Sequence, residues 1–199
     1  MAPITTMQVI NTAVPAVSGL LGVLIGGVLQ WWQANSVARR QQEEANRKEQ
    51  AVAAAATAEL ARRKVLAAYP LALHLEAFAK ACAERVSFNT DPLEAENTQR
   101  LPSLGSYPTS NSGALDPQWH VRLTDFSSAL DLRRNFINGR LEEASDIAEA
   151  RAINAQSAAV VGLDAWSLAE ALRREAAIAP FQFHEDGWDY VEMMQAHVD

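Results

Sequence analysis

Apolar and polar residues occur along this chain in long blocks, and the first block is the most apolar. From Val14 to Trp32 nineteen residues are almost all apolar or small, and no charged residue occurs before Arg39. At about 1.5 Å of helical rise per residue this segment reaches roughly 28 Å, close to a bilayer hydrocarbon core of about 30 Å. The pattern predicts a transmembrane helix over 13–33, after a short extracytoplasmic N-terminus over 1–12.

Two other kinds of segment share this apolar character. A cleaved signal peptide needs a basic start and a small-residue cleavage site, whereas the first ten residues contain no Lys or Arg. The sequence Trp31-Trp32-Gln33 is also a poor cleavage site. A buried helix of a soluble protein rarely stays free of charge for so long. We therefore favour a membrane-spanning helix.

The residues that follow this segment predict its interface and its orientation. Indole rings prefer the lipid head-group layer, so we expect Trp31 and Trp32 at the membrane interface, followed by Arg39 and Arg40. Basic residues flank only the C-terminal side of the apolar segment. The positive-inside rule then predicts a single-pass protein of the cell membrane, with its N-terminus outside and its C-terminal domain in the cytoplasm.

Small residues within the apolar segment recur at a helical spacing. Ser18, Gly22 and Gly26 lie four residues apart and therefore share one face of a helix. Small side chains at this spacing let two helix backbones approach closely in lipid, although glycine is also common in transmembrane helices that do not associate. We expect these three residues to mediate helix packing in the membrane and to favour a homo-oligomer.

The next block predicts a long helix with two different parts. Residues 34–69 are rich in charge and poor in large apolar side chains, which favours a juxtamembrane helical stalk over a weak coiled coil. Pro70 is expected to end or kink this helix at Tyr69. Beyond it, residues 70–199 are expected to form a helical bundle. Its first apolar face recurs at spacings of four, three and four, at Leu71, Leu75, Phe78 and Cys82.

A segment rich in proline, serine and asparagine interrupts the helical pattern over 89–118. Long connections of this composition are either disordered or functional, and we favour a flexible loop. After it, a second stripe predicts another helix through Trp119, Leu123, Phe126, Leu130, Ile137 and Leu141, which Asn138 and Gly139 could interrupt.

A third helix is predicted from about Glu142 to Ala177, with Pro180 beyond its end. Its apolar face is expected at Ile147, Ala150, Val161, Leu168 and Leu172. Asn154 lies on that face, where it is either a buried amide that sets the packing register or a solvent-facing side chain. The tail 181–198 contains several aromatic residues, so we expect it to dock on the bundle.

Composition supports an all-α fold, because alanine dominates the apolar residues and aromatic residues make up only 7%. The net charge of −7 is unevenly distributed. Residues 33–90 contain nine Lys/Arg and six Glu, a net +3, whereas residues 91–199 contain eight Arg and eighteen Asp/Glu, a net −10. The basic part adjoins the predicted anchor, where it would face anionic lipid. The acidic part is unsuited to nucleic acid.

Few residues carry a chemical signature. Phosphate-binding glycine loops, nucleophile elbows and paired Cys/His patterns are absent from the sequence, so we expect no cofactor and no metal. His184-Glu185-Asp186 is best explained as a solvated turn, because adjacent side chains diverge. Cys82 is expected in the core, and the pairs Arg133/Arg134 and Arg173/Arg174 on solvated helix faces.

These observations favour a membrane-anchored protein without catalytic activity that binds a protein partner or further copies of itself. A membrane-perturbing effector, such as a toxin, holin-like or defence protein, is the alternative. A membrane-tethered enzyme is the third hypothesis, because polar residues that could converge on a substrate are not evident.

Overall fold

The computed structural model describes residues 7–109, 112–182 and 188–198, with the backbone alone for residues 7–30, 34, 38 and 112. The protein is 79% helical, and the described residues contain no strand. Within these ranges four α-helices follow one another: α1 (Met7–Thr90), α2 (Pro117–Glu143), α3 (Ile147–Glu175) and α4 (Tyr190–Gln195). Two short 3₁₀ helices, Pro92–Glu94 and Ser112–Ala114, lie between α1 and α2. The predicted all-α class is confirmed.

The chain divides into two compact units, Met1–Thr57 and Ala58–Asp199. The described side chains of the first unit are almost all exposed, with only Asn35 and Ser36 half-buried. They are mainly Ala, Gln, Glu, Arg and Lys, which have high intrinsic helix propensity. In this unit the helix is therefore favoured by residue type and by its own backbone hydrogen bonds.

In the second unit, α1 buries one face in a hydrophobic core. Leu71, Leu75, Phe78 and Cys82 are all buried, as their spacing predicts, and Val86 continues the face. Small residues between them are also fully enclosed: Ala68, Ala72, Ala79 and Ala83. Because alanine allows close helix contact, the neighbouring helices can pack near the α1 backbone.

Pro70 does not end α1, which continues to Thr90, so the prediction that the helix ends at Tyr69 is wrong. Proline removes the N–H that would bond the carbonyl of Leu66, four residues earlier. Leu66 is 63% exposed, so water can reach this end of the helix turn. The helix continues because the next residue, Leu71, is already anchored in the core.

The second helix of the core begins with a cap that the sequence encodes. The Asp116 carboxylate accepts a hydrogen bond from the Gln118 backbone N–H at 2.9 Å, and Pro117 occupies the first helical turn. The predicted α2 stripe is buried at Trp119, Leu123, Phe126, Leu130 and Ile137. The helix runs without a break through Asn138 and Gly139.

Helix α3 begins later than predicted, at Ile147 instead of Glu142. Asp146 caps it by accepting a bond from the Glu149 N–H at 2.8 Å, and the Glu149 carboxylate accepts bonds from the Ser145 backbone N–H and hydroxyl. These bonds lower the pKa of Glu149. Ile147 is 45% exposed, so the core-facing side of α3 does not include it.

Helices α1, α3 and α4 pack closely at Gly162. A Cβ atom on Gly162 of α3 would lie 2.8 Å from the Cβ of Cys82 and 2.4 Å from the Sδ of Met194. Met194 belongs to α4 and is fully buried, and Tyr190 of the same helix is 5% exposed. The predicted docking of the C-terminal tail is confirmed for the described residues 188–198.

The connection between α1 and α2 also packs on the helices over its described part. Leu104 and Leu115 are buried, and the Tyr107 hydroxyl donates to the Leu123 carbonyl at 3.0 Å. This differs from the flexible loop that composition favours over 89–118. Side chains on the surrounding helices bond the backbone of this segment, and composition alone does not reveal those partners.

Candidate functional site

The predicted membrane-interface residues lie on the surface of the first unit. Trp31 and Trp32 are 65% and 69% exposed, and Arg39 and Arg40 are exposed as well. Ser18, Gly22 and Gly26, which are predicted to mediate helix packing, fall within α1, but their side chains lie outside the described residues.

Within α1, the stretch Trp31–Thr90 is long and apolar enough to cross a membrane. Half of its most apolar stretch is buried inside the protein, and core helices of soluble proteins share this property. Most of the predicted span over 13–33 lies among residues whose side chains are not described, and its evidence remains the sequence pattern.

The second unit contains a buried ion pair between α1 and α3. Arg173 binds the Glu76 carboxylate through two guanidinium nitrogens, with Nη2 to Oε2 at 2.9 Å. Both side chains are less than one-tenth exposed. The hydrogen bond to Glu76 raises the pKa of Arg173. The expectation that Arg173 lies on a solvated helix face is therefore wrong. Residue spacing within α3 does not reveal this contact, because the Glu76 partner lies 97 residues earlier in the chain.

Aromatic rings and a backbone carbonyl complete the surroundings of Arg173. Its Cζ lies 5.7 Å from the Tyr69 ring centroid and 5.8 Å from that of Phe181, within range of cation–π attraction. Its Nη1 donates to the Ala179 carbonyl at 2.9 Å. The ion pair therefore holds α1, α3 and the segment after α3 together.

A second buried arginine stabilises the C-terminal end of α1. Arg151 of α3 donates from Nε to the Asn89 carbonyl at 2.9 Å and from Nη2 to the Phe88 and Asp91 carbonyls. The last turn of α1 contains no basic residue of its own. Arg151 supplies the positive charge that the helix C-terminus favours and satisfies its free carbonyls.

Asn154 proves to be the buried amide, with 1% exposure, and not the solvent-facing alternative. Its Nδ2 donates to the Thr98 Oγ1 at 3.0 Å and to the Ala150 carbonyl at 3.1 Å. Asn154 thus links α3 to the connection between α1 and α2.

Cys82 is fully buried, and burial raises the pKa of its thiol to about 12 despite the nearby positive charges of Arg134 and Arg85. A neutral, enclosed thiol is a poor nucleophile. His184, Glu185 and Asp186 lie outside the described residues. The described residues contain no group of three or more His, Cys, Asp or Glu side chains that could hold a metal.

An apolar groove of about 810 Å³ in the second unit lies between α1, α2 and their connection. Leu71, Leu115, Trp119 and Leu123 contribute buried apolar side chains to it. Tyr107 also lines this groove, and burial raises the pKa of its hydroxyl to about 12.

A second, shallower surface lies on the solvent side of α2. Leu132 and Phe136 are 72% and 66% exposed, and with Ala129 and Arg133 they line a depression of about 410 Å³. We call these four residues the outer α2 surface. Burial raises the pKa of the Asp164 carboxyl in α3, and the positive charge of the nearby Arg133 partly offsets that rise. The sequence pattern did not identify this surface, because Leu132 and Phe136 lie off the apolar stripe of α2.

No protein-family model, curated protein sequence or solved structure matches this chain.

Proposed function

We propose that this protein is a single-pass membrane protein with its N-terminus outside and a cytoplasmic helical bundle. In this proposal it has no catalytic activity and acts by binding a protein partner or further copies of itself. The observation that carries the proposal is a pair of adjacent, exposed indole rings, Trp31 and Trp32, at the end of a charge-free segment.

Exposed tryptophan pairs are unfavourable in water, since each ring presents a large apolar area with one polar N–H. The lipid head-group layer accommodates both properties. The rings lie at the C-terminal end of the predicted span over 13–33, and no Asp, Glu, Lys or Arg occurs before Arg39. Together these features support insertion of the helix with Trp31 and Trp32 at the cytoplasmic interface.

The orientation rests on four basic residues after the span, Arg39, Arg40, Arg47 and Lys48, with none before it. The acidic residues among them, at 43, 44 and 49, contribute little to this rule. Retention of the positive flank in the cytoplasm places the second unit there as well.

Two surfaces support association as the mode of action. The small residues Ser18, Gly22 and Gly26 would allow close approach of two anchors in lipid. In the second unit, Leu132 and Phe136 expose two large apolar side chains on a single helix, as partner-binding surfaces commonly do.

The proposal is tested by crosslinking the full-length protein in membranes that have been washed with carbonate to remove peripheral proteins. We expect it to stay in the membrane and to form crosslinked oligomers, which Gly22→Leu or Gly26→Leu abolishes without loss of insertion. Gly19→Leu, off that helix face, is the matched control and should have little effect. Equal loss at all three positions would contradict a specific helix contact.

A second pair of variants identifies the surface used in the cytoplasm. If oligomers survive Gly22→Leu but not Leu132→Ser with Phe136→Ser, association runs through the outer α2 surface. Val121→Ser is the control, since Val121 is 56% exposed on the same helix but does not line that surface. Removal of the protein by carbonate would contradict the anchor. Loss of membrane potential on expression would favour a membrane-perturbing effector instead.

A further inference from the structure

A small pocket beside the connection between α1 and α2 is lined by two arginines. Its volume is about 210 Å³, and its lining comprises Arg100, Leu101, Arg134, Ile137 and Asn138. We call it the Arg100 pocket. No carboxylate is among its lining residues, although residues 91–199 carry ten more negative than positive charges.

Hydrogen bonds hold the backbone on both sides of Arg100. Before it, Asn89 accepts from the Gln99 N–H at 2.9 Å and donates to the Gln99 carbonyl at 2.8 Å. After it, Arg134 donates from Nη2 to the Pro102 carbonyl at 2.7 Å. Arg100 is therefore presented from a preorganised segment, which lowers the entropic cost of binding a ligand.

Positive charge predominates around this segment. No described ion pair involves Arg100, and Arg85 donates to the Gln99 side chain from the neighbouring helix. Among the described ion pairs, the carboxylate that pairs with Arg134 is Asp131, which lies 3.2 Å away and is 73% exposed. A solvent-exposed pair of this kind is weak, so Asp131 only partly neutralises Arg134.

From these contacts we infer that the Arg100 pocket binds a phosphate group. Guanidinium groups match the oxygen geometry of phosphate, and each terminal nitrogen of Arg134 has a second N–H beyond those it already uses. Asn138 adds an amide donor at the same pocket. The apolar side chains of Leu101 and Ile137 displace water from one side, which strengthens the electrostatic attraction. This inference does not depend on the proposed membrane topology.

The phosphate could belong to a soluble phosphate compound or to a phospholipid head group, and these share the same recognition chemistry. The test uses the full-length protein in an uncharged detergent. Inorganic phosphate is titrated by calorimetry at constant ionic strength, and a short-chain phosphatidic acid is titrated in parallel. Saturable binding of both probes assigns a soluble phosphate, and binding of the phosphatidic acid alone assigns a lipid head group.

The variants decide whether binding occurs in this pocket. Arg100→Gln should weaken the binding of whichever probe binds by about tenfold or more, the loss expected for a charge-assisted contact. Arg100 makes no described hydrogen bond through its side chain, so this variant should keep the fold. Arg134→Gln should weaken binding similarly, with circular dichroism to check that loss of the Pro102 bond leaves the helices intact.

Arg133→Gln is the matched control, because Arg133 neighbours Arg134 in sequence but does not line the pocket. Its affinity should stay within about twofold of the unaltered protein, a difference below about 0.4 kcal/mol. An equal loss in Arg133→Gln would show nonspecific attraction and overturn the inference. Failure of both probes to bind the unaltered protein would overturn it too.

Discussion

The parts of α1 in the first and second units have the same backbone geometry but opposite burial. In residues 31–57 the described side chains are nearly all exposed, including Val52 at 70%. Within residues 67–89 one face is enclosed, and Leu75, Cys82 and Val86 have no exposed surface. Both parts are helical, so helix formation by itself does not require a packed core.

The difference lies in the spacing of large apolar residues. In the second unit they recur every three or four positions, which produces a continuous face, whereas in residues 33–57 of the first unit charged and small residues separate them. Stability in the second unit should therefore depend on individual buried contacts, and stability of the helix in the first unit should depend on the intrinsic helix propensity of its residues. The following experiments test that distinction.

The largest effect is expected from breaking the buried ion pair. Arg173→Met leaves the Glu76 carboxylate buried without a partner, and we expect a loss of about 3–5 kcal/mol in the free energy of unfolding. Urea denaturation of the full-length protein in mild detergent measures it. Adding Glu76→Leu should restore most of the stability, and the exposed neighbour Arg174→Met should change little. A small effect of Arg173→Met would mean that the pair is accessible to water.

A direct comparison of the two parts of α1 follows from truncating one apolar side chain in each. Leu75→Ala creates a cavity in the core and should lower the free energy of unfolding by about 2–5 kcal/mol. Val52→Ala removes an exposed side chain and improves helix propensity, so it should change stability by less than about 0.5 kcal/mol. Similar losses for both variants, in the same denaturation experiment, would refute the proposed difference.

Two glycines of the second unit should respond in opposite directions to the same substitution. Gly162→Ala forces a methyl group against Cys82 and Met194, and overpacking of this kind costs about 1–3 kcal/mol. Gly139→Ala meets nothing within 4 Å in α2 and should stabilise the protein by up to about 1 kcal/mol. Thermal unfolding followed by circular dichroism measures both. A stabilising Gly162→Ala would show that the three helices pack more loosely at this position.

The smallest effect concerns the pH dependence of the core. Cys82 has a pKa of about 12 in the folded protein, against 9.0 for an ordinary cysteine. Above pH 9 the unfolded chain therefore loses a proton that the folded protein retains, and stability should fall by up to about 1.4 kcal/mol per pH unit. Burial also raises the pKa of Tyr107 and Tyr190 from 10.0 to about 12, so these hydroxyls add their own slope mainly above pH 10, and the part that Cys82 contributes is measured between pH 9 and 10. Cys82→Ala should remove it, and an unchanged slope would assign it to another group.

Local periodicity was sufficient to predict the helices and much of their buried surface. The faces at Leu71, Leu75, Phe78 and Cys82 and along α2 follow from residue spacing alone, and the structure confirms them. Spacing succeeds here because a helix repeats every 3.6 residues whatever its distant neighbours are.

The buried polar contacts could not be predicted in this way, because their partners are remote in sequence. Arg151 bonds a carbonyl 62 residues away, and Arg173 pairs with a carboxylate 97 residues away. One local signal was present: Glu76 is the only acidic residue between Val65 and Ala79, in an otherwise apolar helix. A carboxylate in such a setting indicates a buried cationic partner, but does not identify which arginine it is.

We propose that the exposed Trp31 and Trp32 mark a membrane interface, with the second unit in the cytoplasm. The most direct test fuses two reporters after Asp199, one active only in the cytoplasm and one active only after export. We predict an active cytoplasmic reporter and a silent export reporter in the membrane fraction. An active export reporter would contradict the orientation, and recovery of the active cytoplasmic reporter in the soluble fraction would contradict the anchor.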